Sequence, residues 1–170
     1  MTMRDIAFVV ALAVAVGLLS SLASTKSGTP DREAAVAAAL QSSMREFLPG
    51  DEMYEVDPRF GYVVICLESE VRLDTDRVAD RLGETVIRPV PVSECVKETV
   101  YGDFGMFIAL DTYFDRNGKE SAHVKVADVK CATTSDCIVD LDWRGNGESF
   151  VVKRRGQTWQ VTEQKMRWVV

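Results

Sequence analysis

Histidine is almost absent from this sequence: His123 is the single one among 170 residues. Cysteine is scarce as well, with four residues, and none of them shows the C-x-x-C spacing that is common in zinc sites. We therefore expect no metal centre, and no motif predicts a cofactor. Internal repeats and low-complexity tracts are also lacking, which favours one ordinary globular domain.

Positive charge is in the minority. Lysine and arginine number 20 against 26 aspartates and glutamates, so the formal net charge is -6 at pH 7. An acidic domain repels the phosphate backbone of nucleic acids and gains nothing from an anionic lipid surface. The sequence therefore predicts that the protein does not bind nucleic acid.

Long apolar runs are confined to the start of the chain. Residues 6–19 are apolar without interruption, and small residues follow as far as Ser24. A run of this length fits the core of a signal peptide and falls short of the ~20 residues that span a bilayer comfortably. We predict a signal peptide over residues 1–23, a polar linker over 24–29 and a single domain over 30–170.

An uncleaved N-terminal anchor is the alternative, because residues 6–23 could cross a locally thinned bilayer. No cysteine lies near the end of the apolar run, which excludes a lipoprotein anchor. Either way we expect a periplasmic, secreted or membrane-anchored protein. The expected partner is an unknown small ligand or an envelope protein, and membrane contact is expected only through an uncleaved leading segment.

The four cysteines predict two disulfide bonds, because an even number in an exported chain is typical of oxidised pairs. Three pairings are possible. We predict Cys66–Cys95 and Cys131–Cys137, since the second pair flanks a short polar turn and the first would tie a central strand to a proline-containing segment.

The order of the elements predicts an α+β fold. Thr29 and Pro30 are expected to begin a long helix that ends near Phe47, and Asp74 is expected to cap a shorter one. An apolar strand lies between them at residues 62–67, and the remainder alternates as strands. We therefore expect a long N-terminal helix across a curved antiparallel sheet that ends in a β-meander.

A family resemblance points the same way. The sequence has Cys66 on a strand, the segment Pro91-Val92-Ser93-Glu94-Cys95, and an ending with Gly145-x-Gly147, Val152-x-Arg154-x-Gly156-x-x-Trp159-x-Val161 and Trp168. In these features it resembles uncharacterised exported bacterial proteins of the NTF2-like, or cystatin-like, α+β type. The resemblance implies a cone-shaped scaffold and brings no established activity with it.

His123 and Asp111 are the first pocket candidates. A histidine on an alternating strand could act as a base at neutral pH if it faced a cavity, although a lone strand histidine more often serves packing. The segment from Asp111 to Gly118 resembles a calcium loop, but its spacing places Tyr113 and Val124 where oxygen ligands are needed. A type I′ hairpin turn at Asn117-Gly118 is the preferred interpretation.

Asp140 and Trp168 complete the set of pocket candidates. Asp140 shares a strand face with Asp142, where the pair could serve acid–base catalysis or lie on the solvated side of the sheet, facing Lys153 or Lys165 across strands. Trp168, like Trp143 and Trp159, could line a pocket or pack in the core. The basic cluster at residues 153–155 is interpreted as a solvated hairpin end.

These patterns place no nucleophile beside His123, and we name no catalytic residue. We therefore expect an exported, non-enzymatic binding or accessory domain of the cell envelope. The alternative is a small NTF2-like hydrolase or isomerase with His123 and an aspartate in its cavity. A perturbed histidine at the base of a pocket would favour the enzyme, whereas an aromatic patch without one would favour the binding domain.

Overall fold

The computed structural model describes residues 28–44, 63–83, 85–101, 109–143 and 145–169. The predicted signal peptide or anchor lies outside the described residues. The described residues contain two helices, eight strands and one 3-10 turn, Val92–Glu94. The elements are α1 (Arg32–Met44), β1 (Val63–Ser69), α2 (Thr75–Leu82), β2 (Ile87–Pro91), β3 (Val96–Tyr101), β4 (Ala109–Phe114), β5 (Glu120–Thr133), β6 (Asp136–Trp143), β7 (Asn146–Arg155) and β8 (Thr158–Val169).

The sheet is mixed, so the expected antiparallel sheet is wrong. Its main strand order is β2-β1-β5-β6-β7-β8, and β1 runs parallel to both of its neighbours. The strands β5 to β8 form the expected antiparallel meander, and β4 pairs antiparallel with both β3 and β5. The parallel pairing of β1 with β2 follows from the helix between them, because a strand–helix–strand crossover returns the chain in the same direction.

The predicted long N-terminal helix is also wrong, as is the cone built around it. The helix α1 has 13 residues, and it begins after Asp31 rather than after Thr29. The Asp31 carboxylate accepts a hydrogen bond of 3.1 Å from the backbone N–H of Ala34, which caps the helix. Phe47, where we expected the helix to end, lies outside the described residues.

The second helix follows the prediction closely. The Asp74 side chain accepts from the backbone N–H of Arg77, and Gly83 ends the helix with a positive φ of 66°. Val78 and Leu82 point inward and are buried.

The core lies between the two helices and one face of the sheet. Almost every side of α1 is buried, which its many alanines permit because they allow close approach to its neighbours. Leu40 and Met44 of the helix join Ile65, Val124 and Phe150 of the sheet in one cluster. None of the helices in the described ranges is long and apolar enough to cross a membrane.

Both predicted disulfides are confirmed. Cys66 is bonded to Cys95, which ties β1 to the segment that leads into β3, across a sequence separation of 29. Cys131 is bonded to Cys137, directly opposite it in the β5–β6 hairpin. The two bonds are compatible with an extracellular or periplasmic location.

The hairpin at Asn117-Gly118 is confirmed, but its turn differs from the expected two-residue one. The loop runs from Asp115 to Lys119 and is organised by the buried Asp115 carboxylate. That carboxylate accepts from the backbone N–H groups of Asn117 and Lys119 and from the Asn117 amide. The aspartate that suggested a calcium ligand therefore satisfies the N–H groups of its own loop.

Candidate functional site

The two faces of the sheet carry different chemistry. Ile65, Leu67 and Val124 point toward the helices and belong to the core. Their neighbours alternate to the opposite side, which we call the outer face. The outer face therefore receives Glu68 and His123, together with other charged side chains of the central strands.

His123 lies half-buried on the outer face. Its Nε2 is 3.0 Å from a carboxylate oxygen of Glu68 on the neighbouring strand β1. The ring of Tyr113, from β4, stacks on the imidazole with a centroid separation of 4.1 Å and an interplanar angle of 6°. The histidine is thus held between a hydrogen-bond acceptor on one strand and an aromatic ring on another.

Asp111 lies in the same neighbourhood, on the β3–β4 hairpin. Its carboxylate is 2.7 Å from the Lys97 ammonium and accepts from the Thr99 hydroxyl at 3.2 Å. The hydrogen bond from Lys97 lowers the pKa of Asp111, and the same bond raises the pKa of Lys97. Asp111 is exposed and paired with Lys97, so it does not orient the imidazole; Glu68 does.

The chemical state of His123 follows from its surroundings. Burial lowers the pKa of His123, and the hydrogen bond with Glu68 opposes this only in part. The ring is therefore neutral at pH 7, and Nε2 carries the proton that it donates to Glu68. Within the described ranges, no serine, threonine or cysteine side chain bonds to this ring, so the geometry contains an oriented base without a nucleophile.

Charges alternate from strand to strand across the rest of the outer face. Lys125 of β5 lies 2.5 Å from Glu70, which directly follows β1, and stands opposite Asp142 of β6 in register. Arg167 of β8 reaches across β7 to the Asp142 carboxylate. Oppositely charged side chains thus lie close together on this face, which stabilises the sheet.

Asp140 belongs to this network and not to a pocket. Its carboxylate accepts from the Ser149 hydroxyl and lies 3.8 Å from Nε of Arg167. We suggested lysines 153 and 165 as partners for Asp140 and Asp142, and this was wrong. Lys153 faces Asp136, and Lys165 faces Glu163 of its own strand. The alternation of Asp140 and Asp142 against the buried residues of β6 is as predicted.

Trp168 lies at the far edge of the outer face, with 39% of its surface exposed. Gly147 makes its position possible. A Cβ atom at Gly147 would overlap Nε1 of the Trp168 indole and would lie 2.6 Å from its Cε2 and 2.7 Å from the Asp142 carboxylate. A bulge in β8 between Met166 and Trp168 brings both Arg167 and the indole close to Asp142 of β6.

Two adjoining clefts lie on the other side of the sheet. They have volumes of about 420 and 370 Å³ and run between α1 and the turn that joins β7 to β8. Together we call them the helix-side groove. Both clefts are lined by Ala38, Gln41, Thr158 and Trp159.

One side of α1 forms the floor of the helix-side groove. Ala34, Ala37, Ala38 and Gln41 recur at intervals of three and four residues, which places them along one helix face. The alanines leave open space, because their side chains end at Cβ. Trp159 is partly buried against the core, whereas Trp143 lies fully within the core.

Uncharged polar side chains form most of the rim. The groove is lined by Ser42, Gln157 and Gln160 in addition to Gln41 and Thr158. Charged residues also line the first cleft: Arg81 is 2.7 Å from Asp31, Nε of Arg154 donates to the carbonyl of Gly156, and Asp80 lines the same cleft. The groove thus presents amide, hydroxyl and charged groups beside one large aromatic ring.

The sequence predicted part of the site around His123 and did not predict the helix-side groove. It named His123 and Asp111 but not Glu68 or Tyr113, which come from strands far apart in sequence. The signal for the groove was the regular spacing of alanines on α1 beside a glutamine, but helix propensity alone accounts for alanines equally well.

No family model, curated protein or solved structure matches this chain.

Proposed function

We propose that this chain is an exported, non-enzymatic binding domain of the cell envelope, with the helix-side groove as its ligand site. The observation that carries the proposal is the separation of the two candidate regions. The cavities are lined by Gln41, Thr158 and Trp159, and neither is lined by His123 or Glu68. The periplasmic or secreted location is part of the same proposal and is supported by the two disulfides.

Pocket chemistry supports binding without catalysis. Ligand sites are usually concave and combine apolar or aromatic surface with a few polar groups that fix orientation. The helix-side groove has this composition, and its amides and hydroxyls do not titrate near neutral pH. The resemblance to exported NTF2-like proteins stays a prediction and adds no activity to this proposal.

A small hydrolase or isomerase centred on His123 is the second candidate. The hydrogen bond between His123 and Glu68 favours it, because a carboxylate orients the catalytic imidazole in many hydrolases. Against it, Tyr113 covers one face of the ring, and the charges around the ring are paired among themselves.

A fragment screen by NMR tests the proposal. The mature, oxidised protein is mixed with a library of small uncharged sugars, amides and dipeptides, and the Trp159 indole N–H and the His123 ring signals are followed. We expect hits to shift the Trp159 signal while every compound stays chemically unchanged. Hits confined to His123, or conversion of a compound that His123→Ala abolishes, would contradict the proposal in favour of the enzyme.

A further inference from the structure

We propose that the ligand of the helix-side groove is an uncharged oligosaccharide, an inference that rests on the binding function proposed above. The first argument is shape. Each cleft falls in the range of about 300–1,000 Å³ that is usual for small-molecule sites. Because the two clefts share Ala38, Gln41, Thr158 and Trp159, they form an elongated site that suits a chain of linked rings.

The second argument is hydrogen-bonding chemistry. A sugar hydroxyl both donates and accepts, and so does the side-chain amide of glutamine. Gln41, Gln157 and Gln160 line the groove, with hydroxyl groups from Ser42 and Thr158. These five side chains offer donors and acceptors together without placing a net charge on the site.

The third argument concerns charge. Removing a charged group from water is costly unless it gains a partner. In the groove, Arg81 is already engaged by Asp31, and the Arg154 guanidinium donates to the Gly156 carbonyl. Asp80 lines the same cleft, and the four charged residues there, two aspartates and two arginines, carry no net charge. The groove therefore has no excess charge of either sign that would attract an ionic ligand.

The fourth argument is the aromatic wall. The faces of a sugar ring expose C–H groups that pack against a flat aromatic surface, while its hydroxyls point outward from the ring edge. Trp159 offers the aromatic surface, and the alanine floor of α1 leaves room for small apolar substituents on the sugar. An extended peptide is the competing ligand, because the groove runs beside β8, which is an edge strand of the described sheet, and peptides can bind along such edges. The test below includes dipeptides to distinguish the two.

A glycan array followed by titration tests the inference. Labelled mature protein is applied to neutral and acidic oligosaccharides, and the best neutral trisaccharide, such as an N-acetylglucosamine trimer, is titrated by calorimetry. We expect neutral glycans to be bound over acidic ones. Gln41→Ala should weaken binding several-fold and Trp159→Ala at least tenfold, whereas Trp159→Phe should retain part of the affinity.

Matched controls separate a lost contact from a lost fold. Trp168→Ala removes the other accessible tryptophan of β8 and should leave the affinity unchanged. If Trp159→Ala does not fold, Gln41→Ala decides, because that side chain is exposed on a helix. If neutral glycans do not bind but uncharged dipeptides shift the Trp159 signal, the oligosaccharide inference is wrong and the proposed binding function still holds. No shift at Trp159 with any compound would overturn both.

Discussion

At the scale of single residues, the outer face is a set of side chains that satisfy one another. His123 is held by Glu68 and Tyr113, and Asp140 is held by Ser149 and Arg167. Contacts of this kind mainly define the position of strands that come from distant parts of the chain. Their removal should therefore change stability more than ligand binding.

The stability of the fold should depend on pH through His123. Partial burial lowers the pKa of the His123 ring in the folded protein, whereas the unfolded chain binds the proton with the ordinary histidine pKa of about 6.5. The unfolded state then holds more protons than the folded state. The contribution of His123 to the free energy of unfolding is therefore fully present above about pH 6.5 and is lost as the pH falls through the pKa of His123 in the folded state. We expect urea unfolding to show a steeper loss from pH 7.5 to 5.5 in the wild type than in His123→Gln.

The pKa of His123 can be measured directly by NMR, because the chain has one histidine and its ring signals need no assignment. An NMR titration of its ring protons should give a value below 6.5. Glu68→Gln should lower the value further, since it removes the partner that favours the protonated form. A histidine that titrates above 6.5 in the wild type would show that burial does not dominate.

Gly147 should tolerate no side chain while Trp168 is present. Gly147→Ala places a methyl group against the indole ring and the Asp142 carboxylate, so we expect a loss of about 1–3 kcal/mol in the free energy of unfolding. The control is the same change in a Trp168→Ala background, where the cost should fall by about 1 kcal/mol or more. Equal costs in both backgrounds would mean that the ring does not occupy this position.

At the scale of elements, one of the two disulfides connects parts that the sheet alone joins weakly. Within the described residues, β3 and β4 pair with β5 only through Tyr113 and Phe114, and the bond from Cys95 to Cys66 holds the start of β3 to β1. The second bond closes a hairpin that β-sheet hydrogen bonds already define. The two bonds should therefore differ in importance.

We predict that removal of the first disulfide is the more damaging change. Loop-closure entropy gives about 3.5 kcal/mol for a separation of 29 residues and about 2 kcal/mol for one of six. Paired Cys→Ala variants of each bond, compared by thermal and urea unfolding, should show this order. A larger loss for the Cys131–Cys137 variant would contradict the entropic account.

At the scale of the whole molecule, the sequence predicted local features better than long-range pairing. The cap at Asp74, the alternation along β6 and both cysteine pairs depend on residues near one another or on cysteine number, and all were confirmed. The predicted sheet topology was wrong, because the alternation of apolar and polar residues along a strand does not show which strands become its neighbours.

The apolar run at β1 did contain a clue to this topology. Val63, Ile65, Cys66 and Leu67 are buried and Val64 is partly buried, and such a nearly continuous apolar strand is typical of parallel strands covered on both faces. We predicted the strand and assigned the sheet as antiparallel because most later strands form hairpins. The helix α2 between β1 and β2 was the stronger signal for a parallel pair.

In the molecule as a whole, we assign ligand binding to the helix side of the sheet and a structural role to the outer face. The most direct test is the dissociation constant of the strongest hit from the NMR screen, measured for the wild type, Gln41→Ala and His123→Ala. We predict that Gln41→Ala weakens binding several-fold and that His123→Ala leaves it unchanged. Unchanged binding in Gln41→Ala together with a loss in His123→Ala would contradict this division of the molecule.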